Sequence, residues 1–95
     1  MSPNSETGAS TTRYESTVQL PADLHARPAG RLARAAAGFT STLRLEHAGR
    51  TATPAGVLSV MALGATAGST VTVSAEGPDA LEAVTALAAI LAAGE

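Results

Sequence analysis

"LPADLHARPAGRLARAAAG", Leu20 to Gly38, holds the transition that decides the fold. From Ala26 the apolar residues Ala29, Leu32, Ala33 and Ala36 recur at i, i+3, i+4 and i+7, the stripe of an amphipathic helix. Gly38 reads as its stop. Upstream the period is two instead: Tyr14, Ser16, Val18 and Leu20 fall on one side and Glu15, Thr17 and Gln19 on the other, the pattern of a half-buried strand. A strand thus runs into a helix, and His25 and Arg27 stand at the joint.

The same two periods carry the rest of the chain. "STLRLEH" alternates, "AG" supplies a turn and "RTAT" returns, which together read as a hairpin. Thr53 and Pro54 read as N-cap and first residue of a short helix, "PAGVLSVMALG", closed by Gly64. "STVTVSA" aligns Val71, Val73 and Ala75 on one face of a fourth strand. Pro78, Asp79 and Glu82 then open a last helix with acidic groups at its positive end, and Leu81, Val84, Leu87, Ala88 and Leu91 form its expected buried stripe. Four amphipathic strands with helices enough for one face predict an α+β open-faced sandwich. Residues 13–95 are expected to form this single domain, after a tail, Met1 to Thr12, whose Ser, Thr, Gly and Pro content suits disorder.

Composition narrows the function. Aromatic residues make up 2% of the chain, so the core must be built from Ala, Val and Leu. No cysteine is present, which rules out disulfides and thiolate metal sites. A net charge of −2 argues against a general nucleic-acid binder. No apolar run approaches the roughly 20 residues that span a bilayer, and the N-terminus lacks a basic region followed by an apolar one. A cytoplasmic, soluble monomer without a cofactor is expected.

The joint itself suggests a chemistry. The first N–H groups of a helix lack partners inside it, and with the helix dipole they favour an anion. With His25 in the N-cap region, a phosphoryl group on its ring can face the backbone amides of Ala26 and Arg27. Pro28 has no N–H to lose and its fixed φ suits a first turn. Arg27 adds a permanent charge matched to phosphate oxygens. A neutral imidazole is a competent nucleophile for such a group. On its own, an isolated His-x-Arg is much better explained by a helix cap beside a solvated charge.

"LHARPAG", Leu24 to Gly30, resembles the active-site signature of the HPr family, the histidine phosphocarriers of the bacterial phosphoenolpyruvate-dependent sugar phosphotransferase system, and "SVMALG" is similar to that family's second-helix motif. The resemblance runs from about Tyr14 to Ala92. It implies a βαββαβα sandwich with a four-stranded antiparallel sheet and helices on one face. It further implies that His25 accepts a phosphoryl group through Nδ1, that Arg27 supports the transfer, and that the protein is a carrier rather than an enzyme with its own small substrate. The implied partners are an enzyme I-type phosphoryl donor and EIIA-type acceptor proteins. HPr-like proteins of regulatory relays or of dihydroxyacetone kinase share the chemistry and are an alternative; a phosphorylation-independent interaction module is a third.

Docking residues follow from charge and angle. Arg27, Arg31 and Arg34 fall at i, i+4 and i+7, a basic ridge leading to His25. In the short second helix Val60 and Leu63 point one way and Val57, Leu58 and Met61 another, so the second set is expected as an exposed apolar patch. His47 matches no active-site position and reads as a plain surface residue. Two histidines without a supporting carboxylate pattern do not make a metal site. Two departures from the family stand out. The regulatory serine found in many members falls at Gly56, with Ser59 an ordinary helix residue. The position two before the histidine, often glycine, is Asp23, whose carboxylate would repel an incoming phosphate if turned towards His25.

Overall fold

In the computed structural model residues 12–94 are described. Along them run β1 (Arg13–Gln19), α1 (Ala26–Ala36), β2 (Thr42–His47), β3 (Arg50–Ala52), α2 (Val57–Met61), β4 (Thr70–Glu76) and α3 (Ala80–Ala93). The sheet order is β1-β4-β2-β3 with every neighbouring pair antiparallel. Register decides which face is buried: Val18 lies opposite Val71, Ser16 opposite Val73, and Leu45 opposite both Val73 and Ala52. These positions join Leu32 of α1, Val60 of α2 and Val84, Leu87 and Leu91 of α3 in one core. The opposite face carries Arg13, Glu15, Thr17, Arg44, Glu46, Thr72 and Ser74 and is polar throughout, so the chain is the expected α+β open-faced sandwich.

The β2–β3 turn is Ala48-Gly49, both with positive φ, the geometry that lets a two-residue turn follow the twist of its strands. Glycine adopts it without cost, whereas Ala48 holds φ 51 only because the paired strands impose it. Residues 1–11, most of the expected tail, lie outside the described residues. Thr12, placed in that tail by composition, accepts a hydrogen bond from Gly77 N–H at 2.8 Å and so belongs to the fold.

Two helices differ from the sequence reading, one in its start and one in its buried stripe. Helix α2 begins at Val57, not Pro54, and its N-cap is Gly56 without a side-chain bond. Pro54 is fully buried, in a turn closed by Gly56 N–H donating to Thr53 O at 3.0 Å. Its ring fills core space instead of opening a helix. In α3 the buried stripe is Ala80, Ala83, Val84, Leu87 and Leu91, while Leu81 is 52% exposed. Alanines take the inward positions because the helix lies close to the sheet.

Asp79 is the N-cap residue of α3, at the positive end where the sequence places it, but its side chain makes no capping bond. Its side chain reaches back to the loop after α1, where Oδ2 accepts from Thr40 N–H at 2.9 Å and from the Thr40 hydroxyl, and Oδ1 accepts from Ser41 N–H at 2.9 Å and from the Ser41 hydroxyl. The Ser41 oxygen accepts in turn from Asp79 N–H at 3.1 Å. The Ser41 hydroxyl, then the Thr40 and Ser41 donors around it, outweigh burial and lower the carboxyl pKa from 3.8 to about 2. This clasp joins the end of α1 to the start of α3, and Gly77 makes room for it. A Cβ on Gly77 would lie 2.7 Å from Ser41 Oγ and 2.9 Å from Ser41 Cα, at a φ of +144°.

Candidate functional site

His25 is the N-cap of α1, with extended backbone at φ −94° and ψ −166°. Its carbonyl accepts the first helical bond, from Ala29 N–H at 3.0 Å. Pro28 lacks an N–H, so two amides remain at the helix mouth, those of Ala26 and Arg27. Arg27 N–H points at His25 Nδ1 across 3.4 Å. Because that amide can only donate, Nδ1 presents its lone pair and the ring proton sits on Nε2. Nδ1 is therefore the ring nitrogen with a lone pair at the helix mouth, and the contact it accepts is a long one. His25, Ala26 and Arg27 are all exposed, while Pro28 and Ala29 beneath them are buried and seat the turn on the core.

The segment before the histidine is stitched to the loop between α2 and β4. Leu20 N–H donates to Ser69 O and Gly68 N–H to Leu20 O, each at 2.8 Å, and Leu24 N–H donates to Ala65 O at 3.0 Å. Leu24 is buried. Asp23 Oδ1 accepts from Ala67 N–H at 2.8 Å, and Asp23 O accepts from His25 N–H at 3.0 Å. The Asp23 carboxylate is thus engaged on the neighbouring loop.

On α1, Arg27 and Arg34 are exposed and Arg31 is half-buried, which leaves a basic flank beside the histidine. Helix α2 packs against α1 and divides by angle: Val60 is fully buried and Leu63 nearly so, Leu58 is 81% exposed and Met61 40%. Val57 is half-buried and packs on the core, so it borders the apolar patch instead of forming it. A five-residue helix has room for one strongly exposed apolar position, and Leu58 occupies it.

Three side chains have roles that residue spacing does not reveal. His47, read as a plain surface residue, is half-buried, and its Nδ1 meets Thr70 O at 3.0 Å, where it must donate. Ser59 is more than an ordinary helix residue: its Oγ accepts from Thr53 N–H at 3.1 Å and ties α2 to the end of β3. Arg50 Nη1 donates to Ala62 O at 3.4 Å, at the C-terminal end of α2. All are contacts to backbone, available to any residue of the right reach, and only the fold brings them together.

Comparison with known proteins agrees with this geometry. Residues 12–93 match the family described as the phosphotransferase system HPr component phosphorylation site. The chain is 37% identical over 78 residues to a phosphocarrier protein HPr of Cupriavidus necator, covering 82% of this chain and 88% of that protein. It is also 37% identical over 79 residues to a multiphosphoryl transfer protein of Xanthomonas campestris, covering 83% of this chain but only 9% of that much longer protein. Among solved structures, a phosphocarrier protein HPr from Bacillus anthracis superposes with a TM-score of 0.74 at 33% identity, over 85% of this chain and 96% of the other.

Proposed function

The chain belongs to the HPr family of phosphotransferase-system phosphocarriers, and from that premise we propose that His25 receives a phosphoryl group from an enzyme I-type donor and passes it to EIIA-type acceptors. The observation that carries the assignment is the His25 Nδ1 lone pair at the open end of α1, against an amide with no helical partner. In the transfer, Nδ1 attacks phosphorus, the bond from phosphorus to the donor atom breaks, and the donor atom keeps that electron pair. With the Nδ1 lone pair consumed, the Arg27 amide turns to a phosphoryl oxygen, joined by the Ala26 amide. The positive end of α1 and the Arg27 guanidinium stabilise the added charge. The group leaves by the reverse step, so this covalent intermediate is the cargo and not a stage of an enzymatic turnover.

Arg27, Arg31 and Arg34 meet acidic partner surfaces, and Leu58 and Met61, bordered by Val57, supply the apolar contact; a single chain is the working unit. Gly56 offers no hydroxyl at the regulatory position, so control by serine phosphorylation there is absent. The test is a chase: the protein is labelled from phosphoenolpyruvate through a donor enzyme, purified, and offered to EIIA-type proteins and to a dihydroxyacetone kinase phosphoryl acceptor. Loss of label to the first supports the sugar pathway. Loss only to the second moves the same chemistry to the kinase pathway, and no labelling at all refutes the carrier.

A further inference from the structure

Asp23 stands two residues before the phosphoryl acceptor, where a negative charge free to swing towards His25 would oppose an incoming phosphate. It does not swing freely. Its Oδ1 takes the Ala67 N–H at 2.8 Å, a bond between residues far apart in sequence. The next residue, Leu24, is buried and bonded to Ala65 O, and the backbone oxygen of Asp23 itself accepts from His25 N–H at 3.0 Å. One residue therefore grips the neighbouring loop with its side chain and the histidine with its backbone.

We propose that Asp23 is a positioning residue for phosphoryl transfer: by holding Ala67 it reinforces the backbone junction between the segment 20–24 and the loop 64–69 and steadies His25 in its extended N-cap conformation at the mouth of α1. The idea rests on the carrier reading given above. Its physical content is orientation. From Leu24 onward the backbone is set by the burial of Leu24, by its bond to Ala65 O and by the helix, so what the Asp23 side chain can tune is the residue just upstream of that seat, whose oxygen holds the His25 N–H. Backbone bonds of Leu20 and Leu24 already join this segment to the loop, and Asp23 adds a charge-assisted side-chain bond to an amide between them. The same bond holds one carboxylate oxygen on the Ala67 side, so the side chain is not free to turn towards His25. The hydrogen-bonding role needs an acceptor oxygen and not a charge, so an asparagine should perform it.

The test compares Asp23→Asn and Asp23→Ala with the unsubstituted protein in three measurements: single-turnover phosphoryl uptake from a phosphoenolpyruvate-charged donor, KM for that donor, and hydrogen exchange of the Ala67 amide. Asp23→Asn is expected to retain uptake within about twofold and to keep Ala67 protected, since its amide oxygen replaces the carboxylate. Asp23→Ala is expected to slow uptake about three- to tenfold, the range that one net hydrogen bond covers, with KM unchanged and Ala67 exchange accelerated. A general loss of structure would instead shift thermal unfolding and raise KM together. Equal rates for all three proteins, or equal slowing of both variants, would overturn the positioning role. So would faster uptake in both, which would make the carboxylate a simple repellent. If the unsubstituted protein takes up no phosphoryl group, the carrier reading falls and this role falls with it; if it does and only the variants fail to differ, Asp23 alone is refuted.

Discussion

Leu58 and Val60 are two residues apart on a helix of five, and they should fail in opposite ways. Leu58 is 81% exposed and Val60 is fully buried. Leu58→Ala removes three carbons from solvent-facing surface, so the fold should change by no more than about 0.5 kcal/mol. If those carbons are covered on docking, their loss at about 0.8 kcal/mol each, scaled by the exposed fraction, weakens donor binding by roughly 2 kcal/mol, about 30-fold. Val60→Ala leaves the docking surface in place and opens a void between α2, α1 and the sheet. It should cost about 2 kcal/mol of stability and lower Tm by about 10 °C, with donor affinity unchanged at temperatures where the variant is folded. Calorimetry against the unphosphorylated donor reads the first quantity and circular dichroism on heating reads the second. A Leu58→Ala protein that binds within twofold of the original would refute the docking patch, and one that melts 10 °C early would mean that Leu58 is packed in solution.

Three further outcomes follow from the clasp and from α2. The Asp79 carboxyl has a folded pKa of about 2 against 3.8 unperturbed, so its contribution to stability is complete above about pH 4 and is lost as pH falls through 2. Asp79→Asn should therefore flatten the acid limb of a stability–pH profile, and an unchanged limb contradicts the clasp. Gly77→Ala should destabilise by about 3 kcal/mol through its clash with Ser41 Cα and its positive φ, while Gly49→Ala, with open space around it, should cost only about 1 kcal/mol; equal melting temperatures would refute this. Gly56→Ser incubated with an HPr-specific serine kinase and ATP should gain label that the original protein lacks. Label on the unsubstituted chain, at Ser59, would contradict an unregulated α2.

The sheet and α1 were legible because their signals are local. A period of two in β1, β2 and β4 and a period of 3.6 from Ala26 each need only neighbouring residues, and "LHARPAG", which carries the proposed site, falls on the joint between them. Helix α2 was legible by type and not by extent. Thr-Pro is a frequent helix start, but here the apolar ring of Pro54 is worth more in the core than at an N1 position. In α3, twelve of the residues from Ala80 to Ala93 are apolar, so the sequence holds little contrast from which to fix its inward phase, and Leu81 was placed on the wrong side. The bonds made by Asp79 and Asp23 were not legible, for one reason. Spacing shows Asp79 only as an acidic group at the positive end of a helix and Asp23 only as a charge near a histidine, whereas in the fold each accepts from a backbone amide of another loop. Partners about forty residues distant leave no trace in spacing.

The central claim is that one atom, His25 Nδ1, carries the phosphoryl group. The most direct measurement is site mapping by mass spectrometry, under neutral or alkaline handling, after incubation with phosphoenolpyruvate and a donor enzyme of the phosphotransferase system. The account predicts a single acid-labile phosphate on His25, absent from a His25→Ala variant that still melts within a few degrees of the original, since the ring contributes at most one weak cap worth about 1 kcal/mol. Phosphate on His47, or phosphohistidine persisting in the His25→Ala protein, would contradict it.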